Sequence, residues 1–362
     1  MSTPRLLTRK IGGVDVTAIG YGAMNLAGAY SDVLADDERF KLLDTLYELG
    51  CTNWDTADAY ADSEDLLGAW FKKTGKRSEI FLATKFGRVQ SDRVMNGDPA
   101  YVHEACDKSL KRLGVDYIDL YYLHRVDTTV PIEHTVGAMA ELVKEGKVKH
   151  LGLSEISADT LRRAHAVHPI AAIQVEYSPF TLDIEDEKIA LLKTARELGV
   201  AVVAYSPLGR GFLTGKYRSF DDLPEKDWRR AVAKYQRENF TNIVKLGDGL
   251  AELGKKYNAT SGQIALAWLL AQGEDVIPIP GTTKIAVRPS PYRIMFCVTC
   301  ETLNGDPRQN IRENLAAMNI KLSPEDVQEV RNIAQEADVG KGDRYPPVWM
   351  HLLFADTPAL QE

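Results

Sequence analysis

Cysteine is scarce in this chain, with four among 362 residues. Cys51 and Cys106 lie in apolar patterns and are predicted to be reduced core residues. Cys297 and Cys300 have the CxxC spacing of a redox or zinc site, but no second CxxC or nearby histidine pair completes a ligand set. The sequence therefore predicts no metal, and a redox or zinc module built on Cys297 and Cys300 is kept as an alternative.

Long apolar runs and an excess of basic charge are also missing. No run approaches the roughly 18–20 apolar residues that span a bilayer, and no apolar segment of a signal peptide follows the first five residues. The net charge of −7 disfavours nonspecific binding to nucleic acid. We therefore expect a cytoplasmic protein with no membrane or nucleic-acid partner, and nothing indicates its oligomeric state.

Short apolar runs alternate with amphipathic helical segments along the chain. The predicted strands are 18–21, 52–55, 80–85, 118–124, 150–154, 172–176, 201–205 and 276–278. The predicted helices are 36–49, 63–71, 99–113, 132–145, 158–167, 186–198, 261–270 and 324–336. Eight such pairs predict an α/β fold in one domain over residues 1–362, a (β/α)8 TIM barrel. Residues 6–16 predict a hairpin, turning at Gly12 and Gly13, that plugs the barrel bottom.

Four polar side chains follow or end three successive predicted strands. Asp55 ends the first strand, Tyr60 lies five residues later, and Lys85 and His124 end the next two. The carboxyl ends of barrel strands share one face, where active sites form. An acid, a phenol, an amine and an imidazole that meet there could deliver a proton to a substrate.

An ordered set of motifs, from about Leu6 to about Leu360, resembles the aldo-keto reductases. The motifs are Gly20-Tyr21-Gly22-Ala23-Met24, Asp55-Thr56-Ala57-Asp58-Ala59-Tyr60, Ala83-Thr84-Lys85, Leu123-His124, Gly152-Leu153-Ser154, Gln174-Val175-Glu176-Tyr177-Ser178, Tyr205-Ser206-Pro207-Leu208-Gly209-Arg210-Gly211, Pro280-Gly281-Thr282-Thr283-Lys284 and Glu313-Asn314. The pattern is most similar to the branch of bacterial and fungal NADPH-dependent aldehyde reductases and pyridoxal reductases. It implies an enzyme that reduces a small aldehyde or ketone.

The resemblance assigns a catalytic tetrad. Tyr60 is the implied proton donor, and the positive charge of Lys85 would lower its pKa. Asp55 would pair with Lys85 and hold it in place, and His124 would orient the substrate oxygen. A non-catalytic NADPH-binding subunit, like the potassium-channel β subunits of the same fold, retains such residues and is the alternative.

The resemblance also implies NADP(H) as cofactor. Tyr205 would stack on the nicotinamide, and Ser154 and Gln174 would hold its carboxamide, while Glu155 stands where an asparagine is often found. The resemblance places the hydroxyls of Thr282 and Thr283 and the cation of Lys284 near the adenosine 2′-phosphate, which favours NADPH over NADH. The implied cofactor-binding residues are Gly22, Met24, Asp55, Ser154, Gln174, Tyr205, Ser206, Leu208, Gly211, Gly281, Thr282, Thr283, Lys284, Glu313 and Asn314.

The substrate pocket is expected to be lined by Met24, Tyr60, Trp54, Phe86 and the C-terminal loop near Arg344 and Tyr345. Aromatic side chains there would suit an aldehyde or an aryl ketone.

One irregular insertion, residues 287–309, interrupts the family pattern. Its 23 residues include three prolines and two cysteines and have no clear periodicity. Val287-Arg288 and Gln309 can be encoded by splice-donor and splice-acceptor sequences, and Thr302-Leu303-Asn304 by a branch site. We interpret the segment as a translated intron; a lineage-specific loop and a regulatory insertion are the alternatives.

Overall fold

The structure is a computed structural model that describes residues 6–28, 33–89, 94–282 and 307–361. The chain enters through an antiparallel hairpin of β1 (Thr8–Ile11) and β2 (Val14–Thr17). Gly12 and Gly13 have φ angles of +56° and +84°, which glycine adopts without the steric cost of a Cβ. The predicted hairpin and its turn are confirmed.

Eight parallel strands follow in sequence order within one sheet. They are β3 (Tyr21–Gly22), β4 (Asn53–Asp55), β5 (Phe81–Phe86), β6 (Ile118–Leu123), β7 (Val148–Ser154), β8 (Ile170–Glu176), β9 (Ala201–Tyr205) and β10 (Val276–Pro278). The backbone N–H groups of Gly20 and Gly22 donate to the carbonyls of Pro278 and Pro280, at 2.9 and 3.3 Å. These bonds join the first strand to the last, as the predicted barrel requires.

Helices lie between the strands and after them. They are α1 (Asp36–Glu48), α2 (Ser63–Thr74), α3 (Pro99–Leu113), α4 (Ile132–Lys144), α5 (Ala158–Val167), α6 (Leu191–Glu197), α7 (Arg237–Lys256), α8 (Ser261–Ala271), α9 (Pro307–Ala316), α10 (Pro324–Glu336) and α11 (Pro347–Met350). Helix α7 was not predicted. None of the described helices is both long and apolar enough to cross a bilayer.

The strand pleat divides the apolar residues into two layers. One set of strand side chains packs outward against the helices, and the alternate set fills the barrel. Ile11 and Val16 of the hairpin belong to the interior set, so the hairpin plugs the barrel as predicted. A Cβ on Gly152 would lie 2.4 Å from the Tyr122 ring, so the interior packing requires a glycine there.

The predicted insertion falls almost entirely outside the described residues. These resume at Pro307, where α9 begins, so the last three residues of the predicted irregular segment, 307–309, are helical instead. The Asn310 side chain donates from Nδ2 to Thr282 Oγ1 at 3.2 Å. The last described residue before the gap and the first residue after the predicted segment therefore lie side by side.

Candidate active site

Period-two alternation brings the functional side chains into the barrel mouth. In β5, Phe81 and Ala83 belong to the interior layer, so Lys85 points inward too. Leu120 and Tyr122 of β6 place His124 on the same side. By the same alternation, four further side chains at or near strand ends point into the barrel: Asp55, Ser154, Gln174 and Tyr205.

Lys85 is the centre of the polar cluster and is fully buried. Its ammonium group donates to Asp55 Oδ1, to the Thr56 carbonyl at 2.7 Å and to the Tyr60 hydroxyl at 3.4 Å. These three acceptors match the three protons of an ammonium group. The cluster therefore holds one acid, one amine and one phenol in a fixed arrangement.

Burial and charge act in opposite directions on these groups. Burial disfavours the Lys85 ammonium, but the contacts with Asp55 and Tyr60 together outweigh burial and raise the Lys85 pKa. Burial also raises the pKa of Tyr60, and the charge of Lys85 lowers it only in part. Lys85 thus acts in the predicted direction, but the net shift of Tyr60 is upward, so the phenol keeps its proton at neutral pH.

His124 lies against Tyr60, with ring centroids 5.6 Å apart and planes at 83°. Its backbone N–H donates to the Phe86 carbonyl at 2.8 Å, which ties the ends of β5 and β6 together. Burial, followed by the positive charges of Lys85 and Arg125, lowers the His124 pKa well below its ordinary value. The imidazole is therefore neutral at neutral pH.

The groups assigned to the nicotinamide carboxamide adjoin this cluster. Gln174 donates from Nε2 to Asp55 Oδ2 at 2.7 Å, so Asp55 is held by both Lys85 and Gln174. Ser154 Oγ accepts a hydrogen bond from Arg125 at 3.1 Å. These contacts orient a serine hydroxyl and a carboxamide beside the tetrad.

Glu155 has a different task from the asparagine it replaces. Its buried carboxylate accepts from Arg344 at 2.7 and 3.0 Å and from the Tyr205 hydroxyl at 2.7 Å. A backbone N–H, that of Glu176, also donates to it at 3.1 Å. Burial opposes the charge, but Arg344, with further contributions from Arg125 and Tyr205, lowers the pKa of Glu155 to about 2. Glu155 therefore links the C-terminal segment to Tyr205, through an ion pair with Arg344 and a hydrogen bond from the Tyr205 hydroxyl.

The remaining implied cofactor residues lie in loops after the strands. Met24 is half-buried in the short helix after β3. Ser206 and Gly211 have φ angles of +50° and +92° in the turn after β9, and the Leu208 carbonyl accepts from the Gly211 N–H at 3.0 Å.

The residues that the resemblance places on the adenosine side of the cofactor are described only in part; they are Gly281, Thr282, Thr283 and Lys284, around the 2′-phosphate, and Glu313 and Asn314, at the adenine. A Cβ on Gly281 would lie 2.7 Å from the Gly22 carbonyl oxygen, so these two backbones meet closely. Glu313 accepts from Thr260 Oγ1 at 2.7 Å, next to the start of α8. Asn314 follows Glu313 in α9 and is half-buried, whereas Thr282 is buried. Thr283 and Lys284 lie outside the described residues.

The prediction that Trp54 and Phe86 line the substrate pocket is wrong. Trp54 and Phe86 are fully buried in the outer layer, where Trp54 packs on Trp70 and Phe86 stacks on Tyr121. Each is a neighbour in sequence of an inward-facing residue and so points the other way. That alternation could have excluded them.

Arg125 is a residue of the mouth that the sequence analysis did not identify. It directly follows His124, and that adjacency was the only available signal. Cys51 and Cys106 are free and buried, as predicted, whereas Cys297 and Cys300 lie outside the described residues. Among the described residues, no group of three or more histidine, cysteine or acidic side chains could hold a metal ion.

Comparison with known proteins gives a consistent result. A model described as the aldo/keto reductase family matches residues 18–287. Aldo-keto reductase str7 of Strobilurus tenacellus is 54% identical over 362 residues, covering 99% of each chain. Aldo-keto reductase yakc [NADP(+)] of Schizosaccharomyces pombe is 44% identical, also covering 99% of each.

A solved thermostable aldo-keto reductase, bound to the inhibitor epalrestat, is 29% identical with a TM-score of 0.68, covering 91% of this chain and 100% of its own. The family match spans most of the chain, and the relatives align over nearly its full length. The chain therefore belongs to the aldo/keto reductase family.

Proposed function

We propose that the protein is an NADPH-dependent reductase that transfers hydride to the carbonyl carbon of an aldehyde or ketone, with Tyr60 as proton donor. The observation that carries this proposal is the buried contact of Tyr60 with Lys85 in the barrel mouth. Family membership supports carbonyl reduction in general, and the tyrosine is the one phenol in contact with the buried amine among the described residues.

Each residue of the cluster has a part in the proton transfer. Tyr60 stays protonated before reaction because burial raises its pKa. As its proton moves to the carbonyl oxygen, the phenolate that forms is stabilised by the Lys85 ammonium beside it. Asp55 keeps Lys85 charged and in position, and the neutral His124 can donate one hydrogen bond to the same oxygen.

The donor set fits a nicotinamide cofactor, which would supply the hydride. Ser154 and Gln174 offer hydroxyl and carboxamide groups next to the tetrad, as an amide ligand needs. Tyr205 offers an aromatic ring whose hydroxyl is held by Glu155. The printed name of the yakc relative, with NADP(+), supports the 2′-phosphorylated form.

Replacement of Tyr60 by phenylalanine tests the proposal. Tyr60→Phe removes the proton donor and keeps the ring against His124, so we expect kcat to fall about 100-fold or more. The dissociation constant for NADPH should change little, because the carboxamide groups are untouched. NADPH oxidation with an aldehyde panel measures the first quantity, and fluorescence titration measures the second.

Tyr47→Phe is the matched control, because Tyr47 lies on α1 and its hydroxyl contacts Glu79. This variant should keep full activity. Unchanged turnover in Tyr60→Phe would refute the assignment. If the wild type binds NADPH but no aldehyde or ketone of the panel supports NADPH oxidation, the protein would instead match the non-catalytic subunit.

Cofactor preference provides a separate prediction. We expect NADPH to be preferred over NADH, because Lys284 and the neighbouring threonines can meet a 2′-phosphate. Lys284→Met should reduce this preference by lowering the affinity for NADPH while leaving that for NADH nearly the same. Titration with both cofactors checks it, and equal wild-type affinities would contradict it.

A further inference from the structure

Arg125 is a cation of the barrel mouth that the proposed mechanism does not use. It follows His124 and lies half-buried at the carboxyl ends of β6 and β7. One guanidinium nitrogen, Nη1, donates to the His124 carbonyl at 2.6 Å and to Ser154 Oγ at 3.1 Å. Both acceptors are neutral, and no carboxylate of the described residues forms an ion pair with Arg125.

The acidic groups of this region are already engaged by other arginines. Glu155 pairs with Arg344, and Glu176 pairs with both Arg344 and Arg210, at 3.2 and 2.9 Å. Asp55 is paired with Lys85 within the tetrad. Arg125 therefore forms no ion pair with a carboxylate of the described residues, although the charge of Glu155 acts on it at longer range.

Arg125 adjoins the reacting groups, because it directly follows His124 and its Nη1 contacts Ser154 in the barrel mouth. Its charge also acts on both Tyr60 and His124. Its hydrogen bond to Ser154 fixes one side of the guanidinium, which leaves the other nitrogens for a ligand. A second arginine, Arg88, follows Lys85 by three residues and lies over the Trp349 ring at 5.0 Å. The mouth thus has a fixed cation beside the tetrad and another at its rim.

We propose that Arg125 binds a carboxylate group of the substrate, so that the preferred substrates are aldehydes or ketones that also carry a carboxylate. A guanidinium offers planar paired donors that match the two oxygens of a carboxylate. This inference rests on the proposed carbonyl reductase activity. In that reaction Tyr60 and His124 would bind the carbonyl oxygen of the substrate, and Arg125 would bind the carboxylate elsewhere on the same molecule.

Two aldehydes that differ in charge test the proposal. These are 4-formylbenzoate and its methyl ester, which have the same ring and aldehyde. With NADPH, the wild type should show a kcat/KM at least about tenfold higher for the acid, as expected for a hydrogen bond to a charged group. Arg125→Met should remove this preference, mainly through a higher KM for the acid, and Arg125→Lys should retain part of it.

Arg162→Met is the matched control, because Arg162 lies on α5 in an exposed ion pair with Glu197. It should keep the wild-type ratio of acid to ester. Equal kcat/KM for the two aldehydes in the wild type would overturn the inference and leave the proposed reductase intact. An equal loss of kcat/KM for the acid and the ester in Arg125→Met would also overturn the inference.

A binding measurement separates the two proposals. Benzoate and its neutral analogue benzamide are titrated calorimetrically into the full chain with NADP+ present. We expect the wild type to bind benzoate more tightly and Arg125→Met to lose that difference. If neither these two aldehydes nor any other carbonyl compound of the panel is reduced, the proposed function fails. The titration alone then decides the carboxylate site: equal affinities for benzoate and benzamide would overturn it.

Discussion

The charge state of His124 determines how the proposed site responds to pH. Because burial and nearby cations lower its pKa well below 6.5, it should not titrate in the neutral range. Tyr60 has a raised pKa and loses its proton only in alkaline solution. The kcat for carbonyl reduction should therefore be flat between about pH 6 and 8 and fall only as pH rises through the Tyr60 pKa, above its ordinary value of about 10.

Steady-state kinetics across this pH range check the prediction. Lys85→Met serves as a comparison, because it removes the charge that stabilises the phenolate and should lower kcat throughout. A step in wild-type kcat near pH 6.5 that disappears in His124→Gln would contradict a neutral histidine.

The residues that the sequence identified best are those whose chemistry is unusual at the end of an apolar strand. Asp55, Lys85 and His124 each lie at or next to the end of such a strand, so their position at one barrel face followed from the fold. Trp54 and Phe86 were misplaced because strands buried on both faces are apolar throughout, and composition alone does not tell inside from outside. The polar residue at the strand end resolves this, since its neighbour must face the opposite way.

Long-range pairs lay beyond sequence reasoning for a different reason. Glu155 and Arg344 are 189 positions apart, and nothing in the sequence around either residue indicates that they pair. The sequence showed only that Glu155 replaces an amide, so its role as an ion-pair partner came from the structure.

At the scale of elements, the pair of Arg344 with Glu155 attaches the C-terminal segment to the barrel mouth. Both side chains are buried. Arg344→Met would leave the Glu155 carboxylate buried without its main counter-charge, and we expect the free energy of unfolding to fall by about 3–5 kcal/mol. Thermal unfolding measures the loss. Adding Glu155→Gln to the variant should recover part of the stability, because it removes the unpaired charge.

The same pair predicts a dependence on pH. In the wild type the folded-state pKa of Glu155 is about 2, below its ordinary 4.5, so its stabilising contribution is present above pH 4.5 and is lost as pH falls toward 2. Without Arg344, burial should raise the Glu155 pKa above 4.5. Stability of the variant should then increase as pH falls from 7 toward 4.5. The difference in Tm between wild type and Arg344→Met should therefore narrow over that range, and a constant difference would show that Glu155 is not the group responsible.

Helix α7 shows why one element escaped prediction. It contains Gly247, Gly249 and Gly254, and glycine weakens a helical pattern. A Cβ at Gly249 would lie 2.4 Å from the Ile333 side chain, and one at Gly254 would lie 2.4 Å from the Ala259 carbonyl. Tertiary packing therefore requires residues that local propensity disfavours.

At the scale of the whole molecule, the barrel closes independently of residues 287–309. The bonds from Gly20 and Gly22 to Pro278 and Pro280 join its first and last strands before that segment begins. Helix α9 then packs against α8 and α1 on the far side of the segment. Thr282 and Asn310 meet directly through their side chains. The described elements on the two sides of the segment are therefore already in contact.

Deletion of residues 287–309 should leave a folded barrel. After deletion, residues 283–286 alone would connect Thr282 to Asn310; four residues reach about 13 Å or more when extended, which is ample for two residues already in hydrogen-bond contact. The shorter connection also costs less loop-closure entropy. We expect the Tm of the deletion variant to equal or exceed that of the full chain, and its affinity for NADPH to be higher because less chain then separates Lys284 from the helix that carries Glu313 and Asn314.

A variant that lacks only 287–306 is the matched control, because it keeps the first turn of α9. If this control is stable and the 23-residue deletion is not, the α9 turn is needed and the segment ends earlier than the sequence indicates. The transcript gives an independent measurement: a translated intron requires a spliced message that lacks three nucleotides for each of the 23 residues. A single long message, together with loss of folding in both deletion variants, would show that the segment is a structural part of the protein.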